Sequence, residues 1–351
     1  MDEVENRFRN KITFIQFLLS IGIVYQHTIW NYKGKNSMLN MGQSFLFFLI
    51  ETCVPFFFMI SGYLFFRTYH PSKAKTKIVS RIETLLIPYF IWNLLYTVFF
   101  LTLTKLGIIH NSGIGGNIRG GVIFKFLNSG FSPLWFVKYL MIFSLIAPGF
   151  YYVLRRKLMG AIVLLIMCGM NIFFYCSGIM EVPLNVNANN IVMLNYQYIF
   201  YVIGAYGALN YREFIETPTI QKRYIAGIVL VLLCLSYLLF IVKHGNVITN
   251  HFFRLVYIVG LWFVMDFVPR YKVKNWMTNS FFLYCSHLMI LQCVQRVCDI
   301  IIGKLGGLQS VLYVLEYILL PIAVIVLLMI VAEFAKKYMP KIFGVMTGNR
   351  G

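Results

Sequence analysis

The segment FIQFLLSIGIVYQHTIW, Phe14 to Trp30, is apolar enough to cross a bilayer, yet it holds Gln16 near one end and His27 near the other. A spanning helix needs about 20 mostly apolar residues, and polar or ionisable side chains inside hydrocarbon are costly. The run is too long for the apolar core of a signal peptide, and no A-x-A cleavage site follows it. It is therefore expected to stay in place as the first of a series of membrane helices.

The rest of the chain supports that reading. Hydrophobic residues make up 59% of the 351, aromatic residues 17% and charged residues only 12%. A soluble domain carries about 25% charged residues. Ten candidate spans stand near residues 12–30, 44–66, 84–104, 134–154, 158–178, 191–210, 224–242, 250–268, 279–297 and 311–334. The expected fold class is all-α, a polytopic membrane protein of about ten transmembrane helices in a single domain over 1–351.

A net charge of +19 invites a nucleic-acid reading, but the cations sit in short clusters between apolar runs. That is the pattern of loops obeying the positive-inside rule, so no nucleic-acid partner is expected. One set of span ends holds 21 cations, including Arg7, Arg9 and Lys11, the run Lys73, Lys75, Lys77 and Arg81, and Lys336, Lys337 and Lys341. The other set holds 7, and Lys138, Arg254 and Arg296 fall inside or at the edge of spans. The bias places both termini in the cytoplasm and requires an even number of spans.

Seven cysteines lie in or beside apolar segments without a CxxC pair, which reads as small buried hydrophobes. The long connection LGIIHNSGIGGNIRGGVIFKFLNSGFSP, Leu106 to Pro133, lacks the G-x-G-x-x-G spacing and follows a membrane helix, not a strand. It reads as an outer loop.

Polar residues inside spans usually face the protein interior. On the first span Thr13, Gln16, Ser20 and His27 share one face, and eleven residues of helix put His27 about 16 Å above Gln16. Taken alone the stripe fits two readings equally, an interfacial ring above a helix-packing amide or a functional pair. Glu51, Lys138, His287 and Glu316 in other spans favour a hydrated cavity in which charge is used. Arg254 and Asp266, near span ends, read as structural. Histidine is the side chain best suited to take a hydroxyl proton near neutral pH. No metal site is expected, because His27 and His287 lack a third ligand at a recognisable spacing. Pro55, Pro88 and Pro148 predict local kinks, and Ser61-Gly62 leaves room for close approach of a backbone or ligand.

Six phrases, in order along residues 12 to about 291, give the chain a resemblance to a known family. They are GIVYQH (22–27), VPFFFMISGYLFF (54–66), LLIPYFIWN (85–93), SPLWFVKYLMIFSLIAP (132–148), YIFYVIGAYGAL (198–209) and SFFLYCSHLMIL (280–291). The sequence resembles the acyltransferase 3 family of bacterial membrane proteins, which move acyl groups onto sugars and related acceptors. The resemblance implies a multi-pass protein of the bacterial cell membrane. Its donor would be an acyl-CoA, usually acetyl-CoA, with no bound cofactor. Its acceptor would be a hydroxyl of a surface polysaccharide or its lipid-linked precursor. Other membrane proteins of polysaccharide synthesis would be its partners in the bilayer.

The resemblance also marks His27 as the catalytic residue, for which a general-base role on the acceptor hydroxyl fits the chemistry. Candidates for donor or substrate binding are Gln16, Glu51, Ser61, Arg81, Trp135, Lys138, Tyr284 and His287. Lys138 could offset charge on an oxyanion or on CoA phosphate, or serve as a structural charge. The Lys73–Arg81 cluster could attract CoA phosphates, or only set topology. Two positions depart from the family pattern. Gln16 stands where the family has arginine, and Thr84 follows Arg81 where an R-x-x-R pair is common. Gln16 keeps hydrogen bonding but loses the guanidinium fork that grips an anion. That fits a subgroup with different donor handling or a weakened enzyme, and retention of His27 favours the first. Two readings compete with an enzyme: an exopolysaccharide export component, which would use the same cavity without chemistry, and a receptor-like scaffold. Against export, no two-fold internal repeat is visible.

Overall fold

A computed structural model of the chain describes residues 3–29, 37–107, 133–176, 188–217, 220–244, 247–266 and 273–349. The long connection expected as an outer loop lies almost wholly outside them. Among the described residues the architecture is all helical. The helices are α1 (Glu3–His27), α2 (Ser37–Glu51), α3 (Cys53–Arg67), α4 (Ala74–Arg81), α5 (Ile87–Lys105), α6 (Trp135–Leu154) and α7 (Lys157–Cys176). They continue with α8 (Ala188–Asn210), α9 (Arg212–Glu216), α10 (Ile220–His244), α11 (Val247–Val264), α12 (Ser280–Ile302), α13 (Gln309–Tyr338) and α14 (Pro340–Thr347).

Helix stands at each of the ten expected segments. Among the described residues five stretches are long and apolar enough to cross a membrane: Met38–Arg67, Pro71–Leu103, Trp135–Leu154, Asn275–Ile302 and Gly306–Tyr338. Lys157–Phe173, Arg223–Leu238 and Phe252–Val264 are apolar but shorter. Helix α1 is not among the five, because its first turns carry charge as far as Lys11 and its helix closes at His27. Large side chains are exposed along these helices, among them Leu165, Phe173, Leu233, Ile330 and Phe334. Such surfaces suit lipid, and the chain is a membrane protein.

Two prolines shape the helices that carry them. Pro55 has no N–H to give the Glu51 carbonyl, and the helix breaks at Thr52 between α2 and α3. Thr52 N–H and Oγ1 turn back to the Leu49 carbonyl instead, at 3.2 and 2.5 Å. Pro88 is preceded by a π turn over Ile82–Leu86, which loosens the backbone where the ring would strike the Thr84 carbonyl.

The described chain gathers into two compact units. The first comprises Met1–Leu19, Asn36–Lys77 and Phe143–Val273. In it α3 and α8 cross so closely that a Cβ on Gly62 would overlap the Tyr201 carbonyl, and one on Gly204 the Met59 carbonyl. Small residues at a crossing are how membrane helices gain contact without a hydrophobic drive between them. Phe58, Phe143, Tyr198 and Tyr201 pack around this crossing with ring centroids 4.7–6.1 Å apart.

Several buried ions in the first unit are paired. The Arg67 guanidinium grips Glu216 at 2.6 and 3.0 Å and Glu5 at 2.9 Å, and Tyr63 donates its hydroxyl to Glu216 at 2.8 Å. Burial works to raise the Glu216 carboxyl, but the bonds from Arg67 and Tyr63 outweigh it and hold the group below the usual carboxylate range. The same guanidinium lowers Glu5. Asp266 lies 2.5 Å from Lys11 and 3.2 Å from Arg223, and Lys11 sits 3.7 Å over the Trp262 ring. Beside these groups is an apolar cavity of about 330 Å³, lined by Phe56, Met59, Tyr63, Gly204, Trp262 and Phe263 among others.

The second unit comprises Ser20–Lys35, Ile78–Ile142 and Lys274–Gly351. Helix α14 was not foreseen. Pro340 opens it at a position where a missing N–H costs nothing, and Gly348 closes it in the left-handed region at φ 62°. Trp92 on α5 donates its indole N–H to the Met346 carbonyl at 2.9 Å. Gly348 lies so close to Thr84 that a Cβ there would meet its backbone.

Candidate functional site

His27 and His287 face each other in the second unit, with ring centroids 5.2 Å apart and planes inclined by 42°. His27 is the last residue of α1 and is half-buried, whereas His287, in the middle of α12, is fully buried. Three contacts set the two helices side by side, running in the same direction. Ser20 donates to the Ser280 carbonyl at 3.3 Å, the two histidines meet, and Gln295 clasps Ile29. That clasp is two-sided: the amide accepts from Ile29 N–H at 3.3 Å and donates to Ile29 C=O at 2.8 Å. The backbone groups freed at the end of α1 are thereby satisfied by a side chain, and His27 is bracketed on both sides.

The His287 ring is held from its own helix. Nδ1 lies 2.7 Å from the Tyr284 carbonyl and 3.3 Å from the Leu283 carbonyl. Both oxygens are acceptors, so Nδ1 is the donor and carries the hydrogen. Nε2 has no hydrogen-bond partner among the described residues. Tyr284 is buried and donates its hydroxyl to the Pro133 carbonyl, at the entry to α6. Its ring lies 6.2 Å from His287 and 5.8 Å from Phe136. From α5, Tyr96 donates to the Cys285 carbonyl at 2.9 Å. On the far side of α1, Tyr25 donates to the Ile318 carbonyl of α13 at 3.0 Å.

Of the residues singled out from the sequence, the second unit therefore holds His27, His287, Tyr284, Trp135, Lys138 and Arg81. Trp135 and Lys138 ride on the first turn of α6, which Tyr284 ties to α12, and Trp135 packs on Tyr139 at 6.0 Å. Arg81 ends α4, and Thr84 lies in the π turn that follows. Glu316 is buried on α13 in the same unit. Gln16, Glu51 and Ser61 belong to the first unit. Gln16 shares the continuous helix α1 with His27. Glu51 is engaged by Arg254 at 2.7 Å, and Ser61 adjoins Gly62 at the α3–α8 crossing. Arg254 and Asp266 each hold an ion pair, the structural role that their positions suggested. Among the described residues no three His, Cys, Asp or Glu side chains gather into a set that could hold a metal ion.

Two site-building residues escaped the sequence reading, Ser280 and Gln295. Gln295 had a visible signal, since an amide inside an apolar span eight residues beyond His287 calls for a partner. Its partner is a backbone 266 residues away, which no local pattern could reveal.

The arrangement places a half-buried imidazole beside a buried one whose Nε2 has no hydrogen-bond partner among the described residues. Such a pair handles protons and polarises a hydroxyl without needing a fixed charge in the membrane. The model of the acyltransferase 3 family, described as an acyltransferase domain, matches residues 9–333, from the second turn of α1 almost to the end of α13. No curated protein and no solved structure matches the chain. With nearly the whole helical assembly inside the match, the chain belongs to the acyltransferase 3 family and is a membrane acyltransferase.

Proposed function

We propose that the chain is an O-acyltransferase of the bacterial cell membrane, with about ten spans and both termini in the cytoplasm. It moves an acetyl group from acetyl-CoA to a hydroxyl of a surface polysaccharide or of its lipid-linked precursor. The observation that carries this reading is the half-buried His27 beside the buried His287, in a chain of an acyltransferase family. His27 acts as general base. It takes the hydroxyl proton as the acceptor oxygen bonds to the thioester carbonyl carbon. Collapse of the tetrahedral adduct breaks the C–S bond, and the proton on His27 passes to the departing thiolate. The products are the O-acyl ester and free CoA. Lys138 is suited to offset negative charge on the adduct oxygen or on CoA phosphate. The cations of Lys73–Arg81 are suited to draw in the CoA phosphates.

The test is mass spectrometry of surface glycan from wild-type cells and from a His27→Ala strain. Loss of acyl groups with the variant protein still in the membrane is expected. Unchanged acylation would sink the assignment and leave glycan export as the better reading. A Gln16→Arg strain addresses the departure from the family pattern. A rise in acylation means that Gln16 is a weakened arginine, and a fall means that it is adapted to this enzyme's donor.

A further inference from the structure

We propose that His287 is a positioning residue that fixes the tautomer of His27. The inference rests on the reading of His27 as the base. His287 cannot meet a substrate itself, because its side chain has no exposed surface. Two carbonyl acceptors, Tyr284 and Leu283, commit Nδ1 to carrying hydrogen. In a neutral ring the lone pair is then on Nε2, the atom left without a hydrogen-bond partner among the described residues. A buried acceptor with nothing to accept is costly to keep, so its retention calls for a donor. The near candidate is His27, whose ring centroid is 5.2 Å away. A turn of the His27 side chain brings one of its N–H groups onto Nε2 at about 3 Å, within hydrogen-bond range.

That bond assigns the two nitrogens of His27 different tasks. The one facing His287 keeps its hydrogen, so the other holds a lone pair and faces the acceptor hydroxyl as the base. When His27 takes the proton, the imidazolium keeps a hydrogen bond to a neutral acceptor. A carboxylate plays this part in hydrolytic triads, where it orients the base and selects its tautomer. Here a second imidazole, oriented by backbone carbonyls, does so without bringing a formal charge into the site. The surroundings hold the pair in register. Ser20–Ser280 and Ile29–Gln295 clamp α1 to α12 on both sides, and the residue whose carbonyl holds His287 is itself anchored to Pro133.

Two substitutions separate positioning from mere structural support, because each keeps one half of the imidazole. His287→Asn places an amide near the Nδ1 position and keeps the bond to the backbone carbonyls, but nothing reaches His27. His287→Gln extends an amide oxygen to the Nε2 position and keeps the acceptor. The assay measures acetyl transfer from acetyl-CoA in membranes of the native host, with each variant's abundance measured in the same membranes. For His287→Asn, kcat should fall on the order of 10–100-fold, the range seen on losing a partner that orients a metal-bound histidine, with KM for acetyl-CoA unchanged. His287→Gln should recover most of that loss. Equal losses, a better Asn than Gln, or an effect confined to KM would overturn the positioning role.

A parallel His27→Ala arm keeps the two readings apart. If it still transfers acetyl groups, the base assignment fails. If it is inactive while His287→Asn matches wild type, only the positioning role fails. Nitrogen NMR of ¹⁵N-histidine-labelled wild-type protein tests the idea without any variant. One fixed tautomer for His27 and an Nδ1-protonated His287 are expected, and a mixture of tautomers at His27 overturns the proposal.

Discussion

In the first unit, ions that enter apolar surroundings meet an opposite charge: Lys11 and Arg223 share Asp266, Arg67 bridges Glu216 and Glu5, and Arg254 holds Glu51. In the second unit, the polar groups at the core of the site are neutral rings and amides, and one ring nitrogen of His287 is left over. The first pattern is what a membrane fold needs to tolerate charge, because each ion compensates another. The second leaves a neutral ring acceptor, His287 Nε2, beside a half-buried histidine, a capacity that chemistry on a passing substrate can use. The difference teaches that an ionisable residue within a span is weak testimony to function by itself. Its partners decide. Glu51, a candidate on sequence grounds, is engaged by Arg254, whereas His27 stands beside an acceptor that no other described residue fills.

The comparison breaks most sharply if the units exchange behaviour. His27→Ala should lower acyl transfer by about 10²–10⁴-fold while thermal unfolding in detergent stays near wild type. Asp266→Ala should do the reverse. It strips Lys11 and Arg223 of their shared anion and should destabilise the protein by about 3–5 kcal/mol, read by the same unfolding assay. Activity per folded molecule should stay unchanged, and a specific loss of turnover there would move the first unit into the mechanism.

Smaller effects sharpen the contrast. Gly204→Ala drives a methyl group into the Met59 carbonyl and should cost about 1–3 kcal/mol by prying α3 from α8. Trp92→Phe removes the bond to Met346 and should cost about 1 kcal/mol, with protease sensitivity rising at the end of the chain beyond Tyr338. The smallest effect is on the acid limb of stability. The Glu216 carboxyl is lowered on folding, so its stabilisation is present above the unfolded-state value near 4.5. It is lost as pH falls through the lower folded value. Partial solvent screening keeps that contribution small. Glu216→Gln should flatten the unfolding profile below about pH 4.5, and an unchanged acid limb would place the sensitivity elsewhere.

Much of this contrast was legible in the sequence, and the rest had physical reasons to stay hidden. Apolar runs of about 20 residues placed helices correctly at all ten segments, because hydrocarbon demands self-satisfied backbone. Pro55 and Pro88 announced irregular helices, and the break at Thr52 and the π turn before Ile87 are their forms. Helix α14 has no counterpart in the sequence reading because Lys336, Lys337 and Lys341 count there only as span-end cations, which hid an eight-residue helix docked on Trp92. The face of α1 that bears His27 could be drawn from helical periodicity. That it meets α12 could not, since spans facing each other carry no local mark of their pairing. The same limit hid Lys11 with Asp266, 255 residues apart. Family phrases carried His27 and His287 as separate signals, and only the fold made them a pair.

The clamp between α1 and α12 has a consequence for how the protein is made. Ser20 and its acceptor are 260 residues apart, so α1 enters the bilayer long before its polar face finds relief. At about 5–20 residues per second, the wait lasts on the order of ten seconds to a minute. Throughout it Ser20, His27 and the open end of α1 face lipid, water or whatever insertion machinery shelters them. Helix α1 is not among the stretches apolar enough to hold the membrane firmly by themselves. The arrival of α12 is thus both the completion of the histidine pair and the locking of the first helix, and a chain cut short before Ser280 lacks both.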